Sequence, residues 1–128
     1  MTFHISRTLN APFDATVSRV VDALQSEGFG VLTDIDIKAT LKSKLGLEFR
    51  DYRILGACNP PLAHRALELE DKIGTMLPCN VIVQATTEGQ VEISAIDPTI
   101  AMQQLGNSAL AELAETVKTR LERVLDKL

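Results

Sequence analysis

Arg53-Ile54-Leu55-Gly56-Ala57-Cys58-Asn59-Pro60-Pro61 holds the turning point of the chain. The run to Cys58 is apolar at its end and too brief for a helix, so it reads as a strand. Asn59 followed by Pro60 reads as an N-cap with proline at the first helical position, where the missing N–H costs nothing. A strand thus hands over to a helix one residue after Cys58. The first-turn N–H groups of a helix lack intrahelical partners and carry about half a positive charge. Such an end favours an anion or a thiolate and can lower a cysteine pKa.

C-terminal to this corner, Leu62, Ala66, Leu69 and Ile73 make a helical stripe, with Ala63 and Leu67 beside it and Gly74 near its end. Cys79 to Thr86 and Val91 to Ile96 read as strands, and Thr87-Glu88-Gly89-Gln90 between them is a hairpin signal, so the two pair antiparallel. Asp97-Pro98 repeats the cap-then-proline device before a short helix reaching Leu105. Gly106 closes that helix and Asn107 caps the next, whose Leu110, Leu113, Val117, Leu121, Val124 and Leu128 form one apolar stripe.

On the N-terminal side, Leu47 to Ala57 gives the whole strand that ends at the corner. Asp36 caps a short helix from Ile37 to Leu45, which Gly46 ends. Phe29 to Asp36 alternates Val31, Thr33 and Ile35 against Leu32, Asp34 and Asp36, as a strand does. Pro12 opens a helix with Phe13, Val17, Val20, Val21 and Leu24 on one face, and Gly28 stops it. Phe3, Ile5 and Arg7 alternate with His4 and Ser6 in a first strand. The order β-α-β-α-β-α-β-β-α predicts an α+β fold: a mixed, mainly antiparallel sheet of about five strands with helices chiefly on one face. A sheet covered on one side leaves an apolar face unmet, which homodimerisation would cover.

At 128 residues the chain reads as a single domain, 1–128, large enough to bury about two thirds of its unfolded surface. With 45% apolar and 23% charged residues it is ordinary for a globular protein. The net charge of -4 arises from 13 basic and 17 acidic residues without a basic cluster. Nucleic acid is therefore not an expected partner. Lys38, Lys42 and Lys44 read as a solvated face rather than a phosphate patch. No apolar run approaches the roughly 18 residues of a membrane span, and the N-terminus lacks the order of a secretion signal. No membrane partner and a cytoplasmic location are the expectations, in which two cysteines are free thiols rather than a bridge.

Gly28-Phe29-Gly30-Val31-Leu32-Thr33, the run from Tyr52 through Cys58-Asn59-Pro60-Pro61 to Leu67, Leu77-Pro78-Cys79-Asn80-Val81 and Ala95-Ile96-Asp97-Pro98 together resemble the bacterial domain of unknown function 302 family. The likeness covers nearly the whole chain. It implies a compact β-α-β-rich domain with a terminal helix, usually a homodimer, and it implies no activity, since the family is named for lacking one.

The candidate site residues are Cys58, Asn59, His64, Arg53, Cys79, Asn80 and Asp97. Cys58 is either a thiolate at a helix start or a buried core thiol, and its apolar context favours the second. Cys79 shares parity with Val81 and Val83 and is expected in the core. A crossover helix would place the two cysteines at opposite ends of the sheet, beyond the ~7 Å that a disulfide spans, unless their strands run antiparallel. Cys58, His64 and Cys79 have no recognised zinc spacing, so no metal is expected. Ser94, His64 and Asp97 can be picked out as a triad, but no nucleophile-elbow glycines surround Ser94. Arg53, Asp34, Asp36, Asn59, Asn80 and Asp97 either converge as polar walls of a pocket or serve locally, Asn59 and Asp97 as caps and Arg53 in an ion pair. No cofactor is implied. The functional expectation is a cytoplasmic, homodimeric small-ligand-binding module with a non-covalent site near Asn59, an anion being one option for the ligand. The alternative is a thiol-dependent enzyme or redox carrier using Cys58.

Overall fold

The structure, a computed structural model, describes residues 2–128. In chain order it contains β1 (His4–Leu9), α1 (Phe13–Ser26), β2 (Gly30–Asp36), α2 (Ile37–Leu45), β3 (Tyr52–Cys58), α3 (Pro60–Leu69), a 3₁₀ segment (Asp71–Met76), β4 (Cys79–Ala85), β5 (Val91–Ile96), α4 (Pro98–Gln103) and α5 (Ser108–Asp126). The strands form one sheet in the order β1-β5-β4-β3-β2. Every neighbouring pair is antiparallel, so the parallel component that a mixed sheet would carry is absent among the described residues.

This pairing decides where the connections lie. Antiparallel β3 and β4 leave and enter the sheet at the same end, so α3 and the 3₁₀ segment do not cross the sheet. They go out and return at one edge, where β5 also ends and β2 begins. Of the two placements open for the cysteines, opposite sheet ends with a crossover helix or one end with antiparallel strands, the structure has the second: Ala57 is directly opposite Cys79, and both cysteines are free.

Apolar residues at odd positions of the inner strands face α1 and α5. Leu55, Val83 and Ile93 meet Val20, Leu24 and Leu121 there, all fully buried in one cluster. A smaller cluster of Ala66, Ile73, Met102, Leu110 and Ala114 joins α3, α4 and α5 beyond the sheet end. Arg7 points to the core face and is accommodated because its Nη1 donates to the Leu125 carbonyl at 2.7 Å, at the α5 C-terminus. The other face of the sheet carries half-buried Tyr52, Ile54, Ile82 and Ile96 and exposed Ile35, with no helix packed as a full layer on it.

Local signals set most boundaries. Asp36 accepts from the Ala39 N–H at 2.9 Å, and Gly46 ends α2 in the left-handed region at φ 66°. Asn107 accepts from the Ala109 and Leu110 N–H groups and starts α5. Four expectations fail. Strand β3 begins at Tyr52 rather than Leu47, because beyond Asp36 the neighbouring strand has turned into α2 and offers no partner. Helix α3 stops at Leu69, where Glu70 adopts extended backbone and caps the 3₁₀ segment through the Lys72 N–H. A bulge between Val31 and Thr33 breaks the alternation of β2, so Val31 pairs with Ala57 on the core face while Thr33 and Ile35 take the other. Phe3, expected in the first strand, lies just before β1, is 62% exposed and stacks edge-on against His4.

Candidate functional site

At the sheet end where β3 stops and β4 starts lies a cavity of about 340 Å³. Its floor is the backbone corner Ala57-Cys58-Asn59 together with Cys79. The stripe of α3 that begins at Leu62 walls one side, and Leu110 and Val117 of α5 wall another. Leu32, pushed outward by the β2 bulge and 67% exposed, stands at the rim. None of the described residues lining it is charged, and Asn59 contributes its only carboxamide.

Asn59 is 6% exposed and acts as the α3 cap, its Oδ1 accepting from the Leu62 N–H at 3.3 Å. Its Nδ2 lies against Gly28, where a Cβ would come within 2.8 Å of it. Gly28 also has φ 86°, so both backbone and space require glycine there. The two residues after the cap are Pro60 and Pro61, which have no N–H, and the third N–H is taken by Asn59. The N-terminus of α3 therefore presents no free donor in its first turn. The sequence-based expectation of an anion or thiolate held by those donors is not met, for that reason.

Cys58 and Cys79 are both half-buried and both line the cavity. Burial pushes the Cys79 thiol up to about 11, and the nearby Cys58 charge adds to the shift. Gly56, one residue before Ala57, is enclosed on the outer face by Thr33 Oγ1 and Pro78 Cγ; a Cβ there would collide with the first and come within 2.8 Å of the second. That close approach fits the strand end tightly under Pro78.

The other expected site residues are elsewhere. His64 is exposed on α3 and does not line the cavity. Arg53 makes a two-pronged ion pair with Asp34, which holds that carboxyl below its ordinary range. Asn80 is exposed at a second concavity, of about 350 Å³, on the open sheet face. Asp97 caps α4 through the Thr99 N–H at 3.0 Å and pairs with Lys118 at 3.0 Å. Burial alone would raise the Asp97 pKa, but the Thr99 and Lys118 hydrogen bonds outweigh it and lower the value. The polar walls imagined from these residues do not converge; each serves locally. The triad is not assembled either, because Ser94 Oγ shares a 2.7 Å hydrogen bond with Ser6, which in turn meets His4 Nδ1 at 2.8 Å. Sequence reasoning missed Met102, Leu110 and Val117 as lining. Their only signal was a helical stripe, which looks the same over a sheet or over a cavity.

The profile described as "Domain of unknown function DUF302" matches residues 5–128. A solved structure, the "crystal structure of uncharacterized conserved protein DUF302 from Bacillus stearothermophilus", is similar with 32% identity and a TM-score of 0.92. The similarity covers 99% of this chain and 98% of that one. No curated protein matches the chain.

Proposed function

The chain belongs to the family of domains of unknown function DUF302, and from that premise we propose that it is a small-ligand-binding module whose non-covalent site is the cavity beside Asn59. The observation that carries this reading is the cavity itself: about 340 Å³, uncharged, and built where β3, β4, α3 and α5 meet. Ligand pockets of ~300–1,000 Å³ with apolar walls and few polar groups are the usual form of such sites. The lining selects a neutral, largely apolar molecule, since no cation is present to offset an anion in it. Apolar contact supplies roughly 25 cal/mol per Å² removed from water.

Catalysis or redox transfer by the Cys58 thiol is the alternative. It lacks support on two counts: no acid or base lines the cavity to move the proton, and the α3 start has no free N–H in its first turn to favour a thiolate. Iodoacetamide labelling against pH separates the two, because a catalytic thiol would react with a midpoint well below about 8.5.

The reading is tested with Nile red and with Ala63→Phe, which fills the cavity from α3. Binding by the native chain and its loss by tenfold or more in the folded variant is the expected result. Equal binding by both chains would overturn the site. We further propose a cytoplasmic homodimer joined through the open sheet faces, supported by the apolar residues Tyr52, Ile54, Ile82 and Ile96 on that face. The face also presents Glu92 near Arg50, so a two-fold copy can set opposite charges together.

A further inference from the structure

We propose that the ligand of the cavity is a neutral apolar molecule ending in one carbonyl oxygen, a ketone or an ester, and that Asn59 Nδ2 is the donor that orients it. The inference rests on the cavity being a ligand site and deepens that reading by naming the polar group of the ligand. Asn59 lines the cavity and is 6% exposed. The α3 cap tells its two amide atoms apart: the atom that accepts from the Leu62 N–H is Oδ1, which leaves Nδ2 as the free end. Nδ2 donates to no acceptor among the described residues. None of the sealed side-chain nitrogens and oxygens there lacks a partner, so Nδ2 is not sealed and stays within reach of an incoming molecule. A donor withdrawn from water without an acceptor carries the cost of its desolvation, which an acceptor on the ligand offsets.

The surroundings of Nδ2 select an acceptor. The place that a Cβ on Gly28 would take is 2.8 Å from Asn59 Nδ2 and 3.3 Å from Arg120 Nη1. Two N–H donors thus look onto one gap that the glycine leaves open. Arg120 Nη1 is held beside it by the Glu27 carbonyl, to which it donates at 3.4 Å. The gap borders the cavity, because Gly28 precedes Phe29 and Arg120 follows Val117 by one turn of α5, and both Phe29 and Val117 are lining residues. An oxygen placed there leaves the rest of the molecule against Leu62, Leu110 and Val117. A carboxylate fits less well than a carbonyl: Arg120 lies outside the lining, the lining itself is uncharged, and an ionised group costs far more to bury than a neutral one.

The test is titration calorimetry of the whole chain with butylbenzene and butyrophenone, two probes of similar shape that differ by one carbonyl. Asn59→Asp keeps the oxygen that caps α3 and puts an acceptor where the donor was. Butyrophenone should bind that variant about tenfold or more weakly than the native chain, while butylbenzene binds the two within about twofold. Circular dichroism checks that the variant folds. A second readout needs no variant: the carbonyl stretching band of butyrophenone bound to the native chain should lie below its position in hexane, because a hydrogen bond weakens the C=O bond. Unchanged butyrophenone affinity in the variant, a carbonyl band at the hexane position, or tighter native binding of 4-phenylbutanoate than of butyrophenone would overturn the assignment while leaving the cavity a ligand site. Failure of both probes to bind the native chain would overturn the cavity reading and this inference with it.

Discussion

The Cys79 thiol is held neutral by its neighbourhood, moved from 9.0 to about 11 chiefly by burial. Because the folded value is raised, the neutral thiol favours the fold fully below pH 9, and that contribution is lost as pH rises through about 11. Urea midpoints measured from pH 8 upward should fall for the native chain and fall less for Cys79→Val; parallel curves would show that the thiol is not buried. Asp97 works in the opposite sense. Its carboxyl is lowered from 3.8, so its contribution is complete above that value and disappears as pH falls through the lower folded one. Asp97→Asn keeps a cap but not the charge and should flatten the acid limb of the stability curve, while Asp97→Ala loses the cap as well, at a cost of about 1–2 kcal/mol. Gly28 and Asn59 form a pair of a different kind, since the carboxamide occupies the space a Cβ would need. Gly28→Ala should cost about 1–3 kcal/mol. In a double-mutant cycle Asn59→Ala should relieve part of that cost, so the two changes together destabilise by less than their sum.

At the scale of single elements, boundaries were legible wherever a side chain next to the backbone sets them. Asp36 and Gly46 fix both ends of α2, and Asn59, Asp97 and Asn107 start α3, α4 and α5 as their sequence positions predict. Asn107→Ala should therefore cost about 1 kcal/mol in the unfolding equilibrium, with helix content otherwise retained. The end of α3 was not legible, because Leu69 and Ile73 continue the helical stripe across a residue, Glu70, whose backbone is extended. The stripe is honoured in space even so: Ile73 is 1% exposed, delivered by the 3₁₀ segment instead of the helix. The same residues show why the thiol–dipole idea failed at element level. Pro60 and Pro61 suit a helix start by lacking N–H groups, and that same lack leaves nothing to hold an anion.

For the whole molecule, the half-open sheet face is the feature that the proposed dimer would cover. Ile82→Glu lies at its centre and should convert a dimer to a folded monomer in light-scattering chromatography; a native chain that is already monomeric would dismiss the interface. The sequence by itself determined the family resemblance, the α+β class, the order of elements and the corner at Cys58 and Asn59. These follow from periodicity, caps and turns, all of which act over a few residues of chain. Only the tertiary structure decided that β3 and β4 run antiparallel, that a bulge turns Leu32 to the cavity rim, and that Met102, Leu110 and Val117 complete its walls. Strand direction depends on which long-range pairings bury the most apolar surface. The covering layer of a helix stripe depends on what that stripe meets, and neither property is written in any one local stretch.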